Sequence, residues 1–226
     1  MMRGAGKTRK PGSSDGGPRY DLGRRYDLGR GAWIEHVPSF LPDGDATMAR
    51  LVATLPLRSE RIVLFGREVA TPRLTSWHGD VGCAYAYSGR RFTPEPWTPE
   101  LAAVRDALVG HTGVRFNSVL ANYYRSGQDA MGAHADDEKE LGPAPDDVRI
   151  ASLSLGARRK FCVRPKSKGE VGKMDFLLGA GDLLVMGGTT QTFFRHHAPR
   201  TKRPVGPRLN LTFRVIVQGQ GAARGL

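Results

Sequence analysis

His134 and Asp136 stand two residues apart in the run NYYRSGQDAMGAHADDE, residues 122–138. On an extended backbone residues i and i+2 project from one face, so an imidazole and a carboxylate at this spacing could reach a common metal ion. A third ligand must come from elsewhere, and the pair His196-His197 in FFRHHAPR supplies two rivals. Neighbours on a strand point oppositely, so only one of them can face the ion. Two histidines and one carboxylate on one side of a metal leave its other positions open, the arrangement used for oxygen chemistry at non-haem Fe(II). The same spacing also arises by chance in solvated loops, so the pair needs support from a second feature.

That feature is PRLNLTFR, residues 207–214, in which Arg208, Asn210, Thr212 and Arg214 alternate with Leu209, Leu211 and Phe213. A strand here presents two guanidiniums and an amide on one face and an apolar row on the other. Guanidinium forks pair bidentately with carboxylates, so the polar face suits a small dianionic acid. The alternative is a polar row that faces water.

Four motifs in order make the sequence resemble the AlkB family of Fe(II)- and 2-oxoglutarate-dependent dioxygenases. They are N-x-Y at Asn122–Tyr124, H-x-D-D-E at His134–Glu138, H-x-x-P at His196–Pro199 and R-x-N-x-T-F-R at Arg208–Arg214. The likeness runs from about Ile34 to Val217 and is nearest to the branch containing the animal homologues that repair DNA. It implies Fe(II) on His134, Asp136 and His196, the last chosen over His197 because it stands three residues before Pro199. It implies 2-oxoglutarate as co-substrate, its far carboxylate on Arg208, with Asn122, Tyr124, Asn210 and Arg214 completing the hydrogen bonds, and O2 as oxidant. Asp137 and Glu138 fall where the family's acidic residues approach the damaged base.

The resemblance also implies a reaction. An N-methyl group on a base such as 1-methyladenine or 3-methylcytosine is hydroxylated and lost as formaldehyde, and the co-substrate becomes succinate. DNA, single-stranded and duplex, is the expected partner. Demethylation of RNA or tRNA, or a nucleic-acid binding module with a vestigial metal site, are the competing readings.

These side chains must be positioned by a fold, and many short strands between Gly and Pro turns suggest a double-stranded β-helix, a jelly-roll-like or cupin-like core. The class expected is α+β, mainly β, with helices outside the core and a nucleotide-recognition hairpin region. Residues 32–217 form the dioxygenase domain, with the recognition region at about 58–90 and the catalytic β-helix at about 116–217. Asp45 is placed to cap a helix bearing Met48, Leu51, Val52 and Leu55 and ending before Pro56. Thr98-Pro99 opens a second helix with Leu101, Val104 and Leu108 on one stripe, and Gly110 is read as its stop.

Arg61–Val69 reads as a hairpin turning near Phe65-Gly66. In the duplex-repairing relatives an aromatic finger at this place fills the hole left by a flipped base, and Phe65 resembles it; a core residue is the alternative. Tyr85, Tyr87 and Ser88 follow in CAYAYSG. By the resemblance Tyr87 stacks on the flipped base opposite the His134 ring, with Tyr85 beside it; the family also uses Phe or Trp there. Arg73, the Arg158-Arg159-Lys160 run and Arg200-Lys202-Arg203 are candidates for phosphate contact, with plain exposed charge as the alternative.

The net charge is +12; residues 1–31 hold eight Lys/Arg against three Asp, which leaves +7 on the rest. Basicity on the folded part suits a polyanionic partner. Residues 1–31, with RYDLGR repeated at 19–24 and 25–30, read as a disordered basic arm, and 218–226 as a flexible tail. Two cysteines give no disulfide framework, and no apolar run approaches the length of a membrane helix. A cytoplasmic monomer is the expectation.

Overall fold

A computed structural model of the chain describes residues 23–64, 67–83, 85–87, 90–138, 141, 149–167 and 172–217; side chains at 62–64, 85–87 and 90–92 are excepted. Its strands are β1 (Arg24–Gly29), β2 (Ala32–Val37), β3 (Arg61–Leu64), β4 (Arg67–Ala70), β5 (Leu74–Gly79), β6 (Tyr85–Tyr87), β7 (Arg90–Phe92), β8 (Ser118–Tyr124), β9 (Met131–His134), β10 (Ile150–Gly156), β11 (Arg159–Pro165), β12 (Met174–Leu178), β13 (Asp182–Gly188), β14 (Phe194–Ala198) and β15 (Arg208–Arg214). Helices α1 (Gly44–Thr54) and α2 (Pro99–Thr112) and the single turn α3 (Thr190–Phe193) complete it. No described helix is long and apolar enough to cross a membrane.

A seven-stranded sheet in the order β1-β2-β13-β10-β15-β8-β5 faces a four-stranded sheet in the order β12-β11-β14-β9, while β3-β4 and β6-β7 are separate hairpins. All pairings within the two sheets are antiparallel. This is the double-stranded β-helix expected from the strand pattern.

Alternation on β15 decides what each side of the large sheet meets. Leu209, Leu211 and Phe213 join Leu153, Leu155, Leu183 and Val185 in a core closed by Leu51 of α1 and by Leu101, Val104 and Leu108 of α2. Each such side chain contributes about 1.5–3 kcal/mol when removed from water. The other parity, Arg208, Asn210, Thr212 and Arg214, is also buried and turns into the space between the sheets, so the polar row does not face water. A second apolar cluster, with Ile34, Ile150, Phe161, Val163, Leu178 and Met186, fills the remainder of that space.

Several boundaries differ from the sequence reading. The folded chain begins by Arg24 and not at residue 32, because Leu28 is buried and Tyr26 meets the edge of Phe176 at 5.5 Å. The arginines that made this stretch look disordered lie over rings, Arg24 on Tyr26 at 4.9 Å and Arg25 on Trp33 at 3.8 Å. Residues 1–22 and 218–226 lie outside the described residues.

The N-cap position of α1 is Asp43, not Asp45, which sits in the first turn; the Asp43 carboxylate is taken by Thr47 and Arg50. Helix α2 runs past Gly110 to Gly113, whose φ of 70° suits the left-handed cap that glycine adopts without steric cost. Upstream strands β1, β2 and β5 extend the large sheet, and β5 pairs along its length with β8.

Candidate metal and co-substrate site

The ladder between β9 and β14 sets His134 directly opposite His196, with ring centroids 4.3 Å apart. Asp136 follows two residues past the end of β9, fully buried, and swings its carboxylate between the two rings. Its Oδ1 is 4.0 Å from His134 Nε2 and its Oδ2 is 3.6 Å from His196 Nε2. One ligand atom from each residue lies within 4.8 Å of the others. His197 points the other way, half-buried and paired across the strand with Cys162, so the structure brings His196 and not His197 to the pair.

The protonation states suit metal binding. His134 Nδ1 is 2.9 Å from the Gly132 carbonyl, which only accepts, so that nitrogen carries the proton and Nε2 keeps its lone pair toward Asp136. Burial, with His134 and Arg214 adding to it against Asp136, pushes His196 down to about 3 and keeps its imidazole neutral. Burial would push the Asp136 carboxyl up, but Arg214, His196 and His134 outweigh it and hold the group below the ordinary carboxylate range. Arg214 Nη2 bonds Oδ1 of Asp136. Oδ2 is buried with no hydrogen-bond partner among the described residues. A buried carboxylate oxygen in that condition costs stability unless a cation meets it, and His134, Asp136 and His196 are the residues that would hold one.

The cavity that opens beside these ligands is lined by Asn122, Tyr124, Ser152, Arg208, Asn210 and Thr212. Arg208 is 1% exposed. Its Nη2 donates to Ser154 Oγ at 2.7 Å and to Asn210 Oδ1 at 2.6 Å, while Nε and Nη1 are buried without a partner among the described residues. Burial lowers its pKa, with Tyr124 opposing and Arg159 adding to the shift. A buried guanidinium with two unmet donors is the complement of an acyclic dicarboxylate. The site therefore fits both groups: a cation at the histidine end and, along β15, a carboxylate on Arg208.

The other predicted residues divide. Asn122 and Asn210 lie opposite one another on β8 and β15, and Arg208 lies opposite Tyr124, so these four residues converge on one wall of the cavity. Arg214, six residues along the strand, lines the same cavity and places its Nη2 on the Asp136 carboxylate. Asp137 is exposed beside the ligands and paired with Lys166 at 2.7 Å, and Glu138 is half-buried next to it.

Arg73 is buried and donates from Nε to Asn122 Oδ1 at 2.8 Å, so it faces the cavity wall and not a surface phosphate. Having lost its oxygen to arginine, Asn122 has its NH2 left to donate elsewhere. Arg158 is exposed but precedes Val163, the partner of His196, by five residues, roughly 16 Å of strand at about 3.3 Å each. That separates it from the metal end. Arg159 is a buried clamp on the carbonyls of Ser126, Asp129 and Pro199 and offers nothing to a phosphate. Arg200 is exposed just after β14. Phe65, Ser88 and the side chains of Tyr85 and Tyr87 lie outside the described residues.

Four contributors were missed. Ser152 and Ser154 alternate with leucines in SLSLG, the same polar-in pattern as β15, and that signal was readable. Lys166 and Gln191 gave none, because their partners, Asp137 and the backbone of Asp136, are 29 and 55 residues away.

A β-helix holding two histidines and a carboxylate beside a buried arginine defines a metal-dependent oxygenase that uses a keto-acid co-substrate. The chain belongs to the 2OG-Fe(II) oxygenase superfamily, whose profile matches residues 35–214. Its cofactor and co-substrates are accordingly Fe(II), 2-oxoglutarate and O2. Similar proteins include the mouse DNA oxidative demethylase ALKBH2, 42% identical over 163 residues that cover 70% of this chain and 67% of that one. The human protein of the same name matches at 42% over 70% of this chain and 61% of its own length. The bovine alpha-ketoglutarate-dependent dioxygenase alkB homolog 3 matches at 35% over 78% and 63%. Against the longer relatives the chain thus spans less than two thirds of the length. A solved structure described as that of OsALKBH1 shares the fold, with a TM-score of 0.59 at 20% identity over 85% of this chain and all of that one.

Proposed function

We propose that this enzyme removes alkyl groups from the ring nitrogens of DNA bases, 1-methyladenine and 3-methylcytosine among them, releasing formaldehyde and succinate. The observation that carries the reading is the burial of Asp136 and Arg208 on one cavity, with Asp136 Oδ2 and Arg208 Nε and Nη1 lacking partners among the described residues, in a chain whose relatives are named DNA demethylases.

His134, Asp136 and His196 would hold the iron, and Arg208, Asn122, Tyr124 and Asn210 the co-substrate. Bound iron and 2-oxoglutarate supply the activation of O2 that oxidises the alkyl carbon. The protein's own residues do the rest. Arg214 fixes the Asp136 carboxylate, and the Gly132 carbonyl fixes the His134 tautomer, so both ligands are oriented before anything binds. Apolar residues between the sheets keep water from the reacting carbon. Asp137 and Glu138 place negative charge beside the ligands, which favours bases made cationic by alkylation. Lys166 holds Asp137 in the meantime and must yield it or share it when such a base arrives.

Phe65 falls by sequence in the connection between β3 and β4, where a wedge would serve duplex substrates; Tyr85 and Tyr87 on β6 supply the aromatic surface for the flipped base. The excess of +7 outside residues 1–31 supports the polyanion as partner.

The test is formaldehyde release and mass loss from a methylated oligonucleotide, as single strand, duplex and RNA, with and without Fe(II) and 2-oxoglutarate. Demethylation of DNA that needs both additions is expected. Turnover confined to RNA would reassign the substrate, and succinate formation without base repair would remove nucleic acid altogether.

A further inference from the structure

Asp136 lies beyond the last paired residue of β9, in a loop, yet its carboxylate must be placed to a fraction of an ångström for a ligand set to close. Arg214 fixes one oxygen of the side chain. The backbone needs its own anchor, and the structure supplies one from the other ligand strand. Gln191 Oε1 accepts the Asp136 N–H at 2.9 Å, a buried bond. Its amide nitrogen meets the Met186 sulfur at 3.6 Å, and the residue is 5% exposed. Since the partner is an N–H, the atom turned toward Asp136 must be the oxygen.

Gln191 is itself held. It belongs to the turn α3, five residues ahead of His196, and Thr190 pins that turn to β2, accepting from Trp33 N at 3.1 Å. Thr190 Oγ1 also lies 2.5 Å from the Gly187 carbonyl at the end of β13. One short segment, 190–196, therefore carries a metal ligand and grips the loop that carries another.

We infer that Gln191 is a positioning residue that couples the H-x-D loop to the His196 strand and so sets the affinity of the site for its metal. This rests on the reading of His134, Asp136 and His196 as metal ligands. Neighbours that orient a ligand change metal affinity about 10- to 100-fold when removed.

Gln191→Met keeps the length of the side chain and removes the acceptor. In the full chain, titrated with Mn(II) and followed by the loss of free-ion EPR signal, the variant should bind about 10- to 100-fold more weakly than wild type. Its metal-free Tm should fall modestly, because the space stays filled while the buried Asp136 N–H loses its acceptor. An unchanged Mn(II) Kd in the folded variant overturns the inference while leaving the ligand assignment intact; absence of Mn(II) binding by wild type overturns both. Should the variant not fold, hydrogen exchange of the metal-free wild-type protein decides: a protected Asp136 amide supports the coupling, and an Asp136 amide exchanging at the rate of an open loop ends it.

Discussion

Arg208 is a side chain that costs the fold stability and that the proposed co-substrate would use. It is buried among Ser154, Asn210 and Tyr124, two of its donors are unmet, and burial depresses its pKa. Replacing a buried, incompletely paired charge by an apolar side chain of similar length is often neutral or stabilising. Arg208→Met should therefore keep or raise the Tm of the metal-free protein. The same change removes the charged partner of the co-substrate carboxylate, and losing a hydrogen bond to a charged group costs about 1.5–3 kcal/mol, so the KM for 2-oxoglutarate should rise roughly 10- to 150-fold. Thermal melting and a co-substrate titration check the two halves separately, and an unaltered KM would take the carboxylate off Arg208. The two histidines make a second contrast. His196→Ala should abolish metal binding, whereas His197→Ala, on the opposite face of β14, should leave the Mn(II) Kd within about threefold, since surface-facing changes seldom reach past 0.5 kcal/mol.

At the scale of elements, the strands were legible because their alternation is strict. PRLNLTFR separates Leu209, Leu211 and Phe213, which enter the apolar core, from Arg208, Asn210 and Arg214, which line the cavity between the sheets. What the sequence hid were contacts whose partners are remote or whose composition misleads. Arg24 and Arg25 read as a disordered arm because nothing local shows that Tyr26, Trp33 and Phe176 will lie beneath and beside them. Arg73 read as a phosphate contact because its partner Asn122 is 49 residues away. The same distance effect shapes the outer face of the small sheet. Asp175 on β12 receives Arg164 at 2.6 Å and Lys160 at 3.1 Å from β11, and these bonds hold its carboxyl down at about 2. A carboxyl depressed on folding adds stability that is present above its unfolded value, here 3.8, and is lost as pH falls through about 2. Asp175 is partly exposed, so the effect is small. Asp175→Asn should flatten the acid limb of the Tm profile between those two values and nowhere else; a flattening near neutrality would point to another group. Packing between elements is tighter still at Gly181, with φ at 85° and a would-be Cβ 2.1 Å from the Leu41 carbonyl oxygen. Gly181→Ala should lower stability by about 1–3 kcal/mol, read as a shift in the urea midpoint at constant slope.

For the whole molecule, the arrangement of parts bears on which nucleic acid the proposed activity could serve. The active site opens between two sheets, and the hairpins β3-β4 and β6-β7 belong to neither. Along β4 every residue is exposed. A base inside a duplex must leave the stack before its alkyl group can reach a buried cation, and unstacking costs a few kcal/mol that a wedge side chain offsets by filling the gap. A single strand has already met that cost. Phe65→Ala should consequently lower kcat/KM on a methylated duplex by roughly 10- to 100-fold, in line with about 1–3 kcal/mol for an aromatic stacked on a base, and change single-strand turnover by less than about threefold. The variant leaves the barrel and its ligands untouched, so the Mn(II) Kd serves as an internal control. Equal losses on both substrates with an unaltered metal affinity would show that Phe65 binds nucleic acid without distinguishing its strandedness, and any discrimination between duplex and single strand would then have to come from the rest of the surface around the mouth.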